Sequence, residues 1–415
     1  MTSSSLEHRL KARIMDAGKI TFHDFMKCAL YEDEKGYYST DTNHIGADGD
    51  YYTSPSTHPA FGSMIALQIH TMWSLLDKPS VLTIVEGGGG KGRLAEDILK
   101  YASSIDTAFF NSLDYWILEK KRLGKIQRGQ PVNTNLTITW TDQTDIPEIE
   151  FGVFLSNELF DANPRHRVIG LASGVQEKYV GLNGDDFMEI HDVPSTDEIA
   201  SYFEDIPLDL PEGCIAEVDL EGPKFIEKIA KAINKGFVIT IDYGFPAEIL
   251  YSNRYKSGTL FCYHKHTSTT NPYIRIGKQD ITAHVDFTSL SNAGSKFNLV
   301  TEGLLTQQRY LKKLGIQSFI DVLRSLDITE NQLLANRMAL LELTNPEGFG
   351  GFGVLVQSKG FAKPQGIDSI VISIARGGLG TILPPTTLTD SHIDLFKVRY
   401  PQYNMMELWP VKEDD

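Results

Sequence analysis

The chain has 415 residues, 41% hydrophobic, 22% charged and 10% aromatic, a make-up that excludes disordered and fibrous classes and leaves ample core. Its 39 Lys plus Arg against 54 Asp plus Glu give a net charge of −15, which repels phosphate backbones and argues against a nucleic-acid platform. The three cysteines, Cys28, Cys214 and Cys262, are far apart and form no CxxC pair, so no disulfide framework or thiolate metal site is encoded and a reducing compartment fits.

Residues 1–62 read as a helical, aromatic opening, ITFHDFMKCALYEDEKGYYST and then the turn-rich IGADGDYYTSPSTHPAFG. Tyr37, Tyr38, Tyr51 and Tyr52 beside Gly and Pro predict an ordered loop or lid. From Val81 short apolar runs alternate with helical segments, the pattern of a parallel sheet with crossover helices. A buried strand at 81–85 ends in Glu86 and GGGGKG, after which Leu94, Ile98 and Tyr101 recur on one helix face. Further strands are expected at 115–118, 136–140, 153–155 and 237–241, each followed at once by Glu119, Asp142, Asn157–Glu158 or Asp242. Ligands of open α/β sheets bind beyond the carboxyl ends of the strands, so these acids mark a ligand-facing edge.

Residues 165–215 predict a β-hairpin insertion before a helix at about 221–235. An aromatic, turn-rich stretch covers 245–290, 303–343 looks helical, and 352–358 looks like one more strand. The expected division is an N-terminal helical lid segment at 1–62, a main domain at 63–360 with a substrate-side region at about 245–345, and an extension at 361–415 without an assigned role. No apolar run approaches the ~18 residues of a membrane span, and MTSSSLEHRL lacks the apolar segment of a secretory signal. Cytoplasm is the expected compartment, or the mitochondrial matrix in a eukaryotic host.

The stretch Val85-Glu86-Gly87-Gly88-Gly89-Gly90-Lys91-Gly92 satisfies two templates. Gly87, Gly89 and Gly92 match the GxGxxG of dinucleotide binders. Glu86, Gly88, Gly90 and Gly92 match the ExGxGxG register of S-adenosylmethionine (SAM) methyltransferases. A carboxylate directly before the loop would oppose a pyrophosphate on the helix N-terminus, whereas SAM carries a sulfonium and an ammonium and no phosphate. Glu119 closes the next strand, where Rossmann-like folds place an acid for the ribose hydroxyls. Asp142, after the third strand, is placed to meet an adenine amino group.

These motifs resemble the MidA-type SAM-dependent methyltransferases. The match runs in order through ITFHDFMKCALYEDEKGYYS (20–39), IGADGDYYTSP (45–55), EGGGGKGRL (86–94), SNELFDANPRHRV (156–168), IDYG (241–244), GTL with a following Tyr and His (258–266) and GKQDITAHVDF (277–287), spanning about 20–360. Two departures stand out: Gly89 and Lys91 replace the family's usual Pro and Arg in the loop, and Ser56 stands where the family has a glutamate after the TxP turn. The resemblance implies a Rossmann-like α/β sheet, SAM as cofactor, a protein arginine side chain as substrate and a link to respiratory complex I assembly. It implies a protein partner, with no nucleic acid and no membrane span, and leaves room for a homodimer.

An arginine nucleophile needs a carboxylate to hold and orient its guanidinium. Glu158 is the first candidate, with Asn157 supporting it through its amide and Asp161 one helical turn further on. In an extended DITAHVDF, His284 and Asp286 share one side and could form a proton-accepting or channel-shaping pair. Asp242 and Tyr243 sit at another strand end, where they are candidates to border the cofactor or substrate, with Tyr243 read first as a packing aromatic. No metal is expected, since His264 and His266 lack further ligands. Two other classes remain open on the residues: a non-catalytic SAM-binding assembly factor, and a nicotinamide-dependent oxidoreductase.

Overall fold

The computed structural model describes residues 5–40, 49–120, 128–131, 137–206, 208–372, 384–389 and 392. Lys121 and Arg122, the IGAD of the turn-rich motif and most of the last stretch lie outside the described residues.

Two helices open the chain. The side chains of Ser5 and Thr21 cap α1 (Leu6–Ala17) and α2 (Phe22–Tyr31) by accepting the amides of His8 and Asp24. Their apolar faces pack with Val180, Leu260, Cys262 and Ile281, so the opening segment is fastened to the insertion and to the substrate-side region. The next helix, α3 (Ala60–Leu75), is buried along almost its whole length. It belongs to the main core, and its first three residues precede the expected boundary after residue 62.

The main sheet follows: β1 (Leu82–Gly87), α4 (Arg93–Ile105), β2 (Leu113–Glu119), β3 (Arg128–Pro131), β4 (Thr137–Asp142) and β5 (Ile149–Asn157). After the insertion, β6 (His166–Leu171), β7 (Gly174–Asn183), β8 (Asp186–Asp192) and β9 (Ile215–Val218), come α5 (Glu221–Ala232), β10 (Ile233–Asp242), α6 (Phe287–Ser295), β11 (Val300–Thr306), α7 (Gln307–Leu314), α8 (Glu330–Glu342) and β12 (Gly353–Lys359). The order is β11-β12-β10-β5-β1-β2-β4-β3. Strands β10, β5, β1, β2 and β4 are parallel, and β12 runs antiparallel between β10 and β11. This is the expected Rossmann-like α/β architecture. From β1 the chain steps out through β2 and β4, then returns at β5 to the other side of β1. The order therefore reverses between β1 and β5, and the crevice beyond their carboxyl ends is where such sheets bind ligands.

Three expectations shift. Residues 300–306 form an edge strand against β12, bulged between Thr301 and Gly303, so the helical reading of 303–343 starts too early. The helix begins only after Thr306, whose side chain accepts the Arg309 amide. The expected hairpin is a meander, β6–β7–β8, widened by β9 and by Ile20–Thr21 into a five-stranded sheet. The start of the C-terminal extension packs on the main core through Ile370 and Val371. Gln68 Nε2 donates to the Ile370 carbonyl there at 2.9 Å.

Candidate active site

The turn after β1 resolves the two glycine templates. Gly88, Gly90 and Gly92 have φ of 71°, 56° and 80°, left-handed conformations that disfavour any residue with a Cβ. Gly87 and Gly89 of the alternative register have no positive φ. The loop is pinned by the Gly88 amide donating to Leu118 O and the Gly92 amide donating to Gly89 O, both at 2.8 Å.

Glu86 lies beneath this loop, 4% exposed, and accepts the Tyr115 hydroxyl at 2.8 Å. Burial, with the Glu119 charge nearby, pushes its carboxyl up to about 7 despite that bond. It shapes the turn from below. The acid on the open side is Glu119, half-buried at the end of β2, whose Oε1 accepts the Gly90 amide. The carboxyl free to face a cationic ligand over the loop is therefore that of Glu119, not that of the buried Glu86. Asp142 ends β4 and organises its own turn, with Oδ1 accepting the Thr144 amide at 2.9 Å and the Thr144 hydroxyl at 2.7 Å.

Beyond β5 the chain makes a strained turn. Glu158 has φ 52°, rare for a residue with a side chain, and its amide donates to Ile241 O at 2.9 Å. Its Oε1 accepts the Asn157 amide group at 2.9 Å and the Ser54 backbone amide at 3.2 Å. The Asn157 side chain thus holds one oxygen of the Glu158 carboxyl. The TSPS turn also serves it: Ser56, in place of the family's glutamate, closes a capping box with Thr53 that fixes the turn presenting the Ser54 amide.

Asp161 is not on a helix. Residues 158–165 form a loop, and the amides of Leu159 and Phe160 point at the buried Asp242 carboxylate, at 3.1 and 2.9 Å, instead of entering helical bonds. Asp161 is 6% exposed; Oδ2 accepts the Tyr243 hydroxyl and Oδ1 has no partner. Tyr243 is therefore more than packing. Asp280, 2% exposed, accepts the Tyr38 hydroxyl at 2.9 Å and joins the same group of acids. Burial, then the charge of Asp161, pushes both Glu158 and Asp280 up to about 8. Asp161 and Asp242 are raised too, first by burial.

His284 and Asp286 do not pair. Asp286 caps α6 by accepting the amides of Thr288 and Ser289, and it accepts the Tyr202 hydroxyl at 2.7 Å. The strand breaks before it at Ala283–His284, so the alternation that placed the two on one side does not hold. His284 instead stands among Tyr243, Phe245 and Tyr255, its ring centroid 5.6–5.8 Å from theirs. Burial lowers it to about 4, so it is neutral. Among the described residues no three His, Cys, Asp or Glu are arranged to hold a metal ion.

The raised carboxyls have a stability consequence. Between the ordinary carboxylate range and about pH 8 the folded protein holds protons on Glu158 and Asp280 that the unfolded chain has lost, so stability falls as pH rises through that window. Glu158→Gln removes one such group. It should stabilise the fold at pH 8 more than at pH 5.5, by an amount on the order of 1–3 kcal/mol. Thermal melts at the two pH values check this, and an equal effect at both would contradict it.

Residues 64–305 match a family model described as "Putative S-adenosyl-L-methionine-dependent methyltransferase". The chain belongs to this family. It is 28% identical over 394 residues to protein arginine methyltransferase NDUFAF7, mitochondrial, of Xenopus tropicalis, covering 86% of this chain and 87% of that protein. The human counterpart is 26% identical over 344 residues, with 76% and 74% covered. A "likely methyl transferase" from Burkholderia thailandensis, bound to S-adenosyl-homocysteine, is similar in structure: TM-score 0.74 and 29% identity, over 88% of this chain and 94% of that one. SAM is the cofactor of this methyltransferase, and the dinucleotide reading is set aside together with its register of glycines. The residues present fit the group. A Cβ built on Gly90 meets nothing within 4 Å, so the loop faces open space there.

Proposed function

We propose that this SAM-dependent methyltransferase modifies the guanidinium of an arginine in a protein. The observation that carries the reading is a set of carboxyls, Glu158, Asp161 and Asp280, near enough for the Asp161 charge to act on both of the others, with no described Lys or Arg ion-paired to any of them. Such a set favours a cationic ligand rich in donors. The curated relatives' names, which specify arginine, support the same choice.

In this reading Gly88, Gly90 and Gly92 let the backbone lie against the cofactor, Glu119 accepts its ribose hydroxyls and Asp142 faces its adenine side. When bound, SAM supplies an electrophilic methyl on a sulfonium. Glu158 binds the guanidinium N–H groups, turns one nitrogen toward that methyl and accepts the proton the nitrogen releases. Asn157 and the Ser54 amide hold the Glu158 carboxylate in position. The N-terminal helices and residues 245–345 cover the site and exclude water. By family resemblance the protein partner is a subunit of respiratory complex I, met in the mitochondrial matrix of a eukaryote or the cytoplasm of a bacterium.

The test adds the purified protein and methyl-labelled SAM to lysate from cells lacking this protein, beside the same lysate without it; one portion is treated with alkali to release ester label and another is acid-hydrolysed to identify labelled amino acids. Label in methylated arginine is expected. Label confined to lysine or to base-labile esters would contradict the reading, and unlabelled protein would favour a non-catalytic assembly factor.

A further inference from the structure

We propose that Asp280, held by the Tyr38 hydroxyl, is a second substrate-binding carboxylate that takes the side of the guanidinium turned away from Glu158. The inference rests on the arginine reading above and adds the residue that decides how tightly the substrate is held.

Asp280 reaches the acids from a different part of the chain, the short strand Asp280–Thr282. Its Oδ1 accepts the Ile281 amide at 2.9 Å and its Oδ2 the Tyr38 hydroxyl, also at 2.9 Å, so its orientation is fixed before any ligand arrives. Tyr38 is itself wedged against other rings, stacked on Tyr31 with centroids 5.5 Å apart and edge-on to Tyr37 at 5.0 Å. The Tyr31 hydroxyl donates to the Ala162 carbonyl at 3.0 Å, which ties this aromatic wall to the loop bearing Glu158 and Asp161. The tyrosines thus set the position of Asp280 relative to the loop.

An independent observation points to a missing donor. Asp161, whose charge acts on both Glu158 and Asp280, keeps Oδ1 buried and unpartnered, and Asn157 beside Glu158 keeps Oδ1 in the same condition. Buried acceptors without donors are costly and rare. Asp161 lies on the loop that Glu158 opens, and Asn157 ends the strand just before it. A guanidinium brings five N–H donors in one plane with a fixed positive charge, the complement of carboxyls that keep open acceptors and have no ion-paired cation. A lysine ammonium brings three donors on a compact point charge and meets fewer of these acceptors.

The experiment compares the full-length wild type with Asp280→Asn and Tyr38→Phe. Initial rates of arginine labelling are measured over a dilution series of the deletion-strain lysate with labelled SAM. Asp280→Asn should raise the half-saturating lysate concentration at least about tenfold, with a much smaller fall in the saturated rate and unchanged S-adenosyl-homocysteine affinity as the check on folding. Tyr38→Phe should shift it the same way by less, and Asp280→Glu should recover part of the loss. A half-saturating concentration within twofold of wild type in Asp280→Asn would overturn the inference alone. Absence of arginine labelling by the wild type would overturn both this inference and the arginine reading.

Discussion

Glu158→Gln should lower arginine methyl transfer by about 10^3-fold, the range expected when a group that orients the nucleophile and accepts its proton is neutralised, while S-adenosyl-homocysteine binds as in the wild type. The Gln side chain is nearly isosteric and can still accept the Asn157 and Ser54 donors at Oε1. It cannot carry the negative charge that draws a guanidinium nitrogen toward the methyl, and its amide turns a donor toward the substrate's own donors. The replacement also relieves a protonated carboxyl buried beside Asp161, so folding is not the cause of the loss. Single-turnover rates with labelled SAM, read beside calorimetric affinity, separate the two effects. Activity within tenfold of wild type would remove Glu158 from the chemistry.

Gly90→Val should weaken S-adenosyl-homocysteine binding by about 100-fold, equivalent to about 2.7 kcal/mol. The φ of 56° at this position strains a β-branched residue, and the loop would relax away from the geometry that Glu119 holds through the Gly90 amide. No atom lies within 4 Å of a Cβ built there, so the side chain meets nothing in the free protein and projects into the space a ligand would use. Stability should fall only modestly, by about 1–2 kcal/mol of left-handed strain. Calorimetric titration of the purified variant tests this. An affinity within threefold of wild type would show that the cofactor does not lie against this loop.

The sheet was legible because its central strands are buried on both faces and so appear as continuous apolar runs, each closed by a polar residue where the chain reaches the crevice. Glu119, Asn157 and Glu158 stand at those ends for that reason. The glycine register needed φ values, since five glycines in seven positions satisfy two templates equally well in letters. Glu86 had the right position but the wrong exposure, and only burial shows that its carboxyl is engaged by Tyr115. Asp161 was expected on a helix because helical spacing from Glu158 looked sufficient, yet the Asp242 carboxylate from the next strand captures the amides that would have begun one. Asp280 was passed over within GKQDITAHVDF in favour of His284 and Asp286, because its partner Tyr38 is 242 residues away in the chain. The tyrosine-rich opening segment was the available signal: ordered phenols at a ligand edge need acceptors, and a buried acid supplies one.

The most direct test of the carboxyl site is the pH dependence of arginine labelling at sub-saturating substrate between pH 6 and 9.5. Arginine does not titrate in this range, so the profile reports groups of the free enzyme. Carboxyls held up to about 8 at Glu158 and Asp280 must lose protons before they can bind the guanidinium. The rate should therefore rise with pH through about 8 and then level, and Asp280→Asn should alter the shape of that rise. A rate that is flat from pH 6 upward, or that falls across the range, would contradict a site in which protonated carboxyls await a cationic substrate.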